Sequence, residues 1–487
     1  MKLREILHDI DFRCGAYDSA LFVKDVVYDS RKADENCIFV CIKGFQVDGH
    51  SFAMQAYRRG TRIFAVEKEV TLPSDAVIIK VDNTRRFLAL ASANLFGRPA
   101  DKLNIIGITG TKGKTSTSFM LKSIYESAGH KVGVIGSTGV YIGDKKYDID
   151  NSTPESYILH KYFKEMLDSG CDTAVIEATS QGFKLDRTYG IRFNTGIFTN
   201  LSPDHIGAAE HSDFADYLAC KKLIFKQSDK MIVNLDTDYY SDIIAGTEGD
   251  HVTFGATDKA DYRFTAPSFT TGKNRLKTEF KCICKDGEAI DIDLNTPGYF
   301  SLYNAAGAIA AAREDGIACE AIKEGLSSAF VKGRMEIVPV GKEYTVIIDF
   351  AHNEFSVKTL FDTIRLYSPR RIISVFGCGG NRSKLRRYSM GEVIGRNSDL
   401  SVITSDNSRY ENVEDIIADI LIGMNKTDGK YEIIPDRRKA IKFALEQAGE
   451  GDVVLLIGKG HEMYEEINGK KHPFDERQVV REALGIE

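Results

Sequence analysis

Short apolar runs alternate with amphipathic stretches along most of this chain. The runs are rich in Ile, Val and Phe, as in CDTAVIEAT and YTVIIDF, and this pattern predicts buried strands. Between the runs, apolar residues recur every three or four positions, as in NVEDIIADILIGM, which predicts helices with one buried face. Alternating buried strands and helices favour a mostly parallel sheet covered on both faces, so we predict an α/β fold.

Polar breaks divide this alternation into three blocks. The first, residues 1–101, ends in the Gly/Pro-containing stretch FGRPADK, directly before the strand LNIIGITG. The second block, residues 102–332, and the third, residues 333–487, each repeat strands and helices. Because 487 residues are too many for one ordinary core, we predict three domains with these boundaries.

The clearest motif, GTKGKT, follows the first strand of the second block and leads into a predicted helix. The strict phosphate-loop pattern GxxxxGK[ST] fails by one residue, because Ile108 stands at its first glycine position. The physical requirements are nevertheless met: glycines let backbone N–H groups approach phosphate oxygens, and a helix start adds partial positive charge. A glycine-rich turn with a surface lysine is the simpler interpretation, but its place between strand and helix disfavours it.

We therefore predict that the cofactors are ATP and Mg²⁺. Lys114 is placed to reach the terminal phosphates, and the Thr115 hydroxyl is placed to ligate the metal. The cofactor-binding residues predicted from this loop are Gly110, Thr111, Lys112, Gly113, Lys114, Thr115 and Ser116.

Three further polar residues of the second block follow predicted strand ends or lie on a helix face. Glu177 closes an apolar strand, His205 follows the next strand end, and Lys221 shares a helix face with Tyr217. Each alone is better explained as a salt-bridge partner, a helix-start residue or a solvated lysine. Glu177 and His205 form, together with Thr115, a plausible oxygen-and-imidazole ligand set for Mg²⁺ beside phosphates. We predict Lys114, Glu177, His205 and Lys221 as the catalytic residues.

The strands of the third block also end in polar clusters. Because ligands bind at the carboxyl ends of parallel strands, these clusters predict a second part of the site. Adjacent arginine, asparagine and glycine are suited to binding carboxylates and phosphates. The clusters comprise Asp349 with His352, the stretch GCGGNRSKLRR, Asp406 with Asn407 and Arg409, and Lys459 with His461 and Glu462.

Composition and charge narrow the class of protein. The net charge of −6 gives no basic surface for nucleic acid, and no apolar stretch is long enough to span a membrane. The N-terminal sequence has no apolar signal-peptide core, and the nine cysteines show no zinc-binding spacing. We predict a monomeric cytoplasmic protein with reduced thiols that binds neither nucleic acid nor membrane.

In combination and order, these motifs resemble the Mur ligases, which are ATP-dependent, amide-bond-forming enzymes of peptidoglycan precursor synthesis. The resemblance covers essentially the whole chain and is closest to members that add the third amino acid to UDP-N-acetylmuramoyl-L-alanyl-D-glutamate. The motifs that carry it are YDSRKADENCIFVCIKGFQVDGHSF, GITGTKGKTST, NSTPES, EATSQG, NLSPDHIG, YLACKKLIF, YNAAGAIAA, GRMEIV, DFAHN, GCGGNR, SDNSR and GKGHE.

The resemblance implies a UDP-sugar domain, a central phosphate-loop ATPase domain and a Rossmann-like C-terminal domain that receives the amino acid. It also implies an acyl-phosphate intermediate and carbamylation of Lys221, which would turn a cation into a carboxylate-like metal ligand. ATP contacts are implied for Asn304, Arg334 and Asp349. The substrate-binding residues implied are Ser30, Asn151, Ser152, Thr153, Thr179 and Arg187 for the UDP-sugar-peptide, and Arg387, Asp406, Asn407, Arg409, Gly458 and Glu462 for the amino acid.

Departures from the family pattern leave the amino acid open. Ser408 stands where the family has proline in D-N-P-R, and SPDHIGAAEH resembles the variant of lysine-adding members. Arg409 favours meso-diaminopimelate over L-lysine, because a guanidinium pairs with the distal carboxylate that lysine lacks. The alternatives are a paralogue acting on a related carrier, a folylpolyglutamate-synthetase-like ligase, or a nucleotide-binding protein without catalysis. The last predicts decay of the catalytic residues, and none has decayed.

Overall fold

The structure is a computed structural model that describes residues 1–44, 47–204, 206–207, 210–272 and 275–486. Its strands are β1 Asp25–Val27, β2 Cys37–Val40, β3 Ile63–Val66, β4 Val77–Lys80, β5 Asn104–Thr109, β6 Val132–Gly136, β7 Gly139–Ile142, β8 Lys145–Tyr147, β9 Thr173–Glu177, β10 Phe193–Phe198, β11 Ser228–Asn234, β12 Val252–Gly255, β13 Tyr262–Gly272, β14 Arg275–Ile283, β15 Ala289–Leu294, β16 Glu336–Val338, β17 Thr345–Asp349, β18 Ile372–Phe376, β19 Leu400–Ile403, β20 Tyr431–Ile433, β21 Val453–Ile457, β22 Tyr464–Ile467 and β23 Lys470–Pro473. Its α-helices are α1 Leu3–Ile6, α2 Ala53–Arg58, α3 Thr84–Leu95, α4 Lys114–Ser127, α5 Ser156–Asp168, α6 Ser180–Lys184, α7 Phe214–Gln227, α8 Tyr240–Ile244, α9 Tyr299–Glu314, α10 Cys319–Ser328, α11 Glu354–Arg365, α12 Lys384–Asn397, α13 Val413–Met424, α14 Arg437–Gln447 and α15 Glu476–Leu484. Short 3₁₀ helices cover Ser30–Lys32, Gly49–Phe52 and Pro99–Lys102.

Contacts within the chain divide it into two compact units. The first contains residues 1–263 and 303–325, and the second contains residues 264–302 and 326–487. The three-domain boundaries expected from the sequence stay a prediction.

The first unit contains two sheets. A small parallel sheet has the order β1-β2-β3-β4. A larger sheet runs β8-β7-β6-β9-β5-β10-β11-β12, and the first residues of β13 continue it. Only β7 runs against the other strands, so its pairings with β6 and β8 are antiparallel. Its central strands are buried along their length, as expected for parallel strands covered by helices.

The second unit contains a six-stranded sheet with the order β16-β17-β21-β18-β19-β20. Five of its strands are parallel, and only β16 is antiparallel to its neighbour. Apolar residues of β17, β18 and β21 pack against helices on both faces of this sheet. The predicted α/β class, with a Rossmann-like C-terminal sheet, is therefore confirmed.

Two local expectations need adjustment. The stretch GHSFAMQAYRRG, whose pattern predicts one amphipathic helix, forms a 3₁₀ turn at Gly49–Phe52 followed by the short α2. The sequence pattern gave no sign of the antiparallel pair β14–β15 or of the β22–β23 hairpin. In the described part of the chain, no helix combines the length and apolar character needed to cross a membrane.

His160 is an unusual member of the apolar core of the first unit. It lies on α5 with 2% of its surface exposed, next to the edge of Phe163. Neither ring nitrogen has a hydrogen-bond partner among the described residues. Burial lowers the pKa of His160 from 6.5 to about 4, so the ring is neutral in the folded chain at neutral pH.

We predict that His160 makes folding sensitive to mild acid. Below pH 6.5 the unfolded chain gains a proton at this ring, whereas the folded chain does not until the pH approaches the lowered pKa of about 4. The free energy of unfolding should therefore fall by about 2 kcal/mol between pH 7 and pH 5 through this residue alone. Urea unfolding of the wild type and of His160→Leu at both pH values tests this. An equal loss in the two proteins would contradict it.

Candidate functional site

Three central strands of the larger sheet in the first unit are paired so that their carboxyl ends lie side by side at one edge. Ile108 of β5 pairs with Glu177 of β9, and Thr109 pairs with Phe198 of β10. The three strands are parallel and end together, so the loop after β5, the Glu177 carboxylate and the residues after β10 share this edge. Ligands bind at such carboxyl ends in open α/β sheets.

The loop after β5 has a conformation that requires glycine at two positions. Gly110 and Gly113 have φ angles of +139° and +88°, which L-residues rarely adopt. A Cβ atom at Gly110 would overlap the Thr199 hydroxyl, and one at Gly113 would overlap the carboxamide of Asn304. Asn304, an expected ATP contact, therefore lies directly against the loop. Helix α4 begins one residue after Gly113, so its N-terminus faces the same side.

Residues after β10 hold the loop in this conformation. The Asn200 side chain accepts the Lys112 N–H at 2.8 Å and donates to the Lys112 carbonyl at 3.0 Å. The Asn200 carbonyl accepts the Thr111 N–H at 3.0 Å, and the Thr199 hydroxyl donates to the Lys112 carbonyl at 2.7 Å. The Lys112 side chain itself is exposed and pairs with Asp204. The loop is thus fixed through its backbone.

Two lysines meet at one carbonyl of the loop. Lys114 and Lys221 both donate to the Gly110 oxygen, at 2.8 and 2.7 Å. Lys221 is 2% exposed and lies over the Tyr217 ring at 4.7 Å. Burial, and secondly the charge of Lys114, hold the pKa of Lys221 well below its usual range. Lys222, one position further on α7, turns away and donates to backbone carbonyls near α8.

Glu177 and Thr115 form an oxygen pair beside these lysines. The Glu177 Oε1 atom accepts the Thr115 hydroxyl at 2.9 Å and the Ser137 N–H at 3.0 Å. Glu177 is 2% exposed, and in the part of the chain that the structure describes, hydroxyl and N–H groups donate to its carboxylate. Carboxylate and hydroxyl oxygens are ligands that suit Mg²⁺. The expected third ligand, His205, lies outside the described residues.

A neighbouring cluster of His211, Asp216 and Cys220 brings possible metal ligands within 4.8 Å of one another. Asp216 already pairs with Lys184 at 2.6 Å and with His211 at 3.1 Å. Burial raises the pKa of the Cys220 thiol to about 11, which disfavours the thiolate that binds metals. We therefore interpret the cluster as a structural contact between α6 and α7.

Three of the residues expected at the UDP-sugar-peptide surround the end of β9. The Thr153 hydroxyl donates to the Glu177 carbonyl at 2.7 Å and lies 2.9 Å from the Thr179 hydroxyl. Arg187 donates to the Thr153 carbonyl at 2.9 Å and to Glu155 at 3.1 Å. Asn151 and Ser152 precede Thr153 directly. No described contact joins the buried Ser30, which donates to Gln55, to this group.

In the second unit, Asp349 ends β17 and is buried. Its carboxylate accepts the Met335 and Ala351 N–H groups, each at 2.7 Å. Burial raises the pKa of Asp349, while the nearby Arg334 opposes this effect. The Arg334 guanidinium lies 4.9 Å from the centre of the Phe350 ring. The two residues expected to contact ATP in this unit are thus neighbours.

The ends of β19 and β21 bring Asp406, Asn407, Lys459 and Glu462 together. Asn407 donates to Glu462 at 2.7 Å and accepts from Lys459 at 3.1 Å. Lys459 also lies 3.6 Å from the Asp406 carboxylate. Gly458 has a φ of +116°, and a Cβ atom there would lie 2.6 Å from Asp406. Four residues expected at the amino acid therefore lie together around Lys459: Asp406, Asn407, Gly458 and Glu462.

The two arginines of this region have different partners. Arg409 donates through Nε to Glu466 at 3.1 Å and through Nη1 to the Gly380 carbonyl at 2.8 Å. Arg387 is 1% exposed and pairs with Glu411 at 2.8 Å and Asp419 at 2.9 Å. Arg409 thus pairs with Glu466, whereas Glu411 pairs with Arg387.

Several residues that shape these sites escape sequence reasoning. Four of them lie just after a strand end or in a loop, Glu466 lies within β22, and the sequence marks all five only as polar. They are Ser137, Glu155, Asn200, Glu411 and Glu466.

Comparison with known proteins agrees with this arrangement. Three family models match: "Mur ligase family, catalytic domain" over residues 23–95, "Mur ligase middle domain" over 108–312, and "Mur ligase, glutamate ligase domain" over 333–460. A Clostridium perfringens protein named UDP-N-acetylmuramoyl-L-alanyl-D-glutamate–2,6-diaminopimelate ligase is 41% identical over 99% of both chains.

Solved structures give the same picture. A structure of a UDP-N-acetylmuramoyl-L-alanyl-D-glutamate–2,6-diaminopimelate ligase matches with a TM-score of 0.74 at 26% identity, over 100% of this chain and 99% of the other. A Mycobacterium tuberculosis folylpolyglutamate synthase shares the fold, with a TM-score of 0.62 at 17% identity over 82% and 96% of the two chains. The full-length identity and the three matching domains together show that the chain belongs to the Mur ligase family, whose members are ATP-dependent ligases.

Proposed function

We propose that this chain joins the third amino acid to UDP-N-acetylmuramoyl-L-alanyl-D-glutamate in peptidoglycan precursor synthesis, with ATP converted to ADP and phosphate. The observation that carries the proposal is the meeting of Lys114 and Lys221 at the Gly110 carbonyl, beside the Thr115–Glu177 pair. The name of the 41% identical relative supports the choice of substrate. A cytoplasmic location and a monomeric state stay predictions from the sequence.

The first step requires two anions to meet. A substrate carboxylate attacks the γ-phosphate of ATP, which yields an acyl phosphate and ADP. The loop N–H groups and the Lys114 ammonium would neutralise charge on the transferred phosphoryl group. Because Asn200 and Thr199 already fix the loop, these donors need no rearrangement before they bind phosphate.

The oxygen set at this edge fits Mg²⁺, since Glu177 accepts hydroxyl and N–H donors from Thr115 and Ser137 and Thr115 supplies a second oxygen. When bound, the metal would supply positive charge for the phosphates. We propose that Thr115, Glu177, His205 and Lys221 hold it. Lys221 suits this role as a carbamate: its neutral amine attacks CO₂, forms an N–C bond and releases one proton, which leaves an anionic oxygen pair.

In the second step the amine of the amino acid attacks the acyl phosphate, an amide bond forms and phosphate leaves. We propose that Glu462, Asp406 and Asn407 receive the amino-acid head group. Arg409 uses Nε and Nη1 within the protein, so Nη2 is the part of its guanidinium that would meet a ligand. A distal carboxylate there would form a charge-assisted pair, which favours meso-diaminopimelate over L-lysine.

The proposed function predicts phosphate release from ATP only when UDP-N-acetylmuramoyl-L-alanyl-D-glutamate and a suitable amino acid are both present. Lys114→Ala should abolish release, because it removes the cation nearest the transferred phosphoryl group. Lys122→Ala, which removes a lysine paired with Glu126 further along α4, is the matched control and should behave as wild type. Release by Lys114→Ala at a rate near wild type would contradict the role of the loop.

Carbamylation of Lys221 predicts a ¹³C carbamate signal in protein equilibrated with labelled CO₂. The signal should persist in Lys222→Ala and vanish in Lys221→Ala, because Lys221 is buried with a pKa well below its usual range, whereas Lys222 donates to backbone carbonyls near α8. Lys221→Ala should also be inactive in ligation and partly rescued by formate or acetate. A signal that survives in Lys221→Ala would assign the carbamate elsewhere.

The assignment of Arg409 predicts a preference for meso-diaminopimelate over L-lysine in kcat/KM. In Arg409→Ala the ratio of kcat/KM for meso-diaminopimelate to kcat/KM for L-lysine should fall about tenfold to hundredfold, which is the usual contribution of a charge-assisted pair. Arg438→Ala, at an exposed arginine that pairs with Glu482, serves as the control. A wild-type preference for lysine, or an equal loss for both amino acids, would refute the assignment.

A further inference from the structure

Lys459 is a fully buried cation that the mechanism above does not use. It follows β21 by two residues, and its side chain is 0% exposed. Its ammonium lies 3.1 Å from the Asn407 Oδ1 atom, 3.6 Å from Asp406 and 3.8 Å from Glu462. A lysine is almost never buried completely unless partners compensate its charge. Here those partners are three residues expected at the amino acid.

The first effect of Lys459 is on the orientation of Asn407. The Oδ1 atom of Asn407 accepts two donors, the Lys459 ammonium and the Glu466 N–H at 2.9 Å. With the oxygen turned to these donors, the Nδ2 group of Asn407 must face Glu462, to which it donates at 2.7 Å. A rotated carboxamide would bring its oxygen against the Glu462 carboxylate and its NH₂ against a cation.

The second effect is on charge. Asp406 and Glu462 both lie within 4 Å of the Lys459 ammonium, so this group of three carries a net charge of about −1, complementary to an ammonium ion. The charge of Arg437 also acts on Asp406, but Arg437 is paired with Glu476. Burial raises the pKa of Glu462, while the Asn407 hydrogen bond and the Lys459 charge oppose it. Without Lys459, protonation of Glu462 would relieve the repulsion between the carboxylates, and a neutral Glu462 holds an ammonium poorly.

A purely structural ion pair in the same unit looks different. Arg437 and Glu476 are both fully buried, and Arg437 gives its remaining hydrogen bonds to the Ser405 and Ile457 carbonyls. The partners of Lys459 instead include Glu462, whose side chain is 18% exposed. The Lys459 group is therefore open to a ligand on one side, whereas the Arg437 pair is closed.

We propose that Lys459 is a positioning residue for the incoming amino acid: it holds the Asn407 carboxamide and the Glu462 carboxylate in the arrangement that receives the substrate ammonium group. This inference rests on the proposed ligase function and deepens it. Lys459 touches no reacting atom in this scheme, so its removal should weaken amino-acid binding more than it slows the chemical steps.

The test compares Lys459→Met and Lys459→Gln with wild type in steady-state kinetics. Lys459→Met removes both the charge and the donor, whereas the Gln amide keeps a donor for Asn407 without the charge. We expect the KM for the amino acid to rise about tenfold to hundredfold in Lys459→Met and less in Lys459→Gln. We expect kcat and the KM for ATP to change less than about threefold, which is the size of effect that loss of a weak surface contact has.

Asp452→Asn is the matched control for a general loss of stability. Asp452 is a buried carboxylate at the opposite end of β21, paired with Arg370 and Arg371. This variant should lower the thermal midpoint but leave the KM for the amino acid unchanged. If Lys459→Met does not fold, Lys459→Gln decides the question by the same KM comparison.

The outcomes separate the inference from the function on which it rests. Turnover by wild type with an unchanged amino-acid KM in both Lys459 variants would overturn the positioning role alone. Equal changes in the KM values for ATP and the amino acid would also overturn it, because they indicate a structural role. If wild type forms no amide with any amino acid, the proposed function fails and the role of Lys459 falls with it.

Discussion

Parallel pairing of β5 with β9 and β10 is the constraint on which the first unit depends. The three strands end in register, so one edge of the sheet collects Gly110, Glu177 and Thr199 although they are far apart in sequence. Each of these residues then contacts the next: Thr199 fixes the loop, the loop leads to Thr115, and Thr115 reaches Glu177. A shift of one residue in either pairing would misalign these strand ends and turn the side chain of the shifted strand end, Glu177 or Phe198, to the other face of the sheet.

Both units bury charged or titratable groups, and in each unit these groups lie beside residues that are expected to bind ligands. In the first unit, Lys221 lies beside Lys114, and burial together with that neighbour holds its pKa well below its usual range. In the second unit, Lys459 stays between two carboxylates that compensate it. Buried charges seldom add stability relative to apolar residues of similar volume, so such groups are better explained by what they bind.

Much of this arrangement could be predicted from the sequence because it follows from local patterns. The strands of the parallel sheets, the glycine loop and the carboxylate that closes β9 all carry signals within a few residues. Partners across the chain carry no such signal: Arg409 and Glu466 are separated by 57 positions, and only the folded hairpin β22–β23 brings them together. The antiparallel strands β14 and β15 were missed for the same reason, since pairing between strands depends on contacts that a local pattern does not contain.

The loop geometry also bears on the energetics of nucleotide binding. A flexible phosphate loop would lose backbone freedom when it closes on a ligand, at a cost of about 1–2 kcal/mol for each residue ordered. In this chain, Asn200 and Thr199 have already removed that freedom during folding, through hydrogen bonds to the backbone of Lys112. The backbone of the loop therefore loses its conformational entropy during folding and not when the ligand binds. Calorimetry of nucleotide binding should accordingly show a small entropic penalty from the loop, and loosening Asn200 should enlarge that penalty while the contacts to phosphate stay the same.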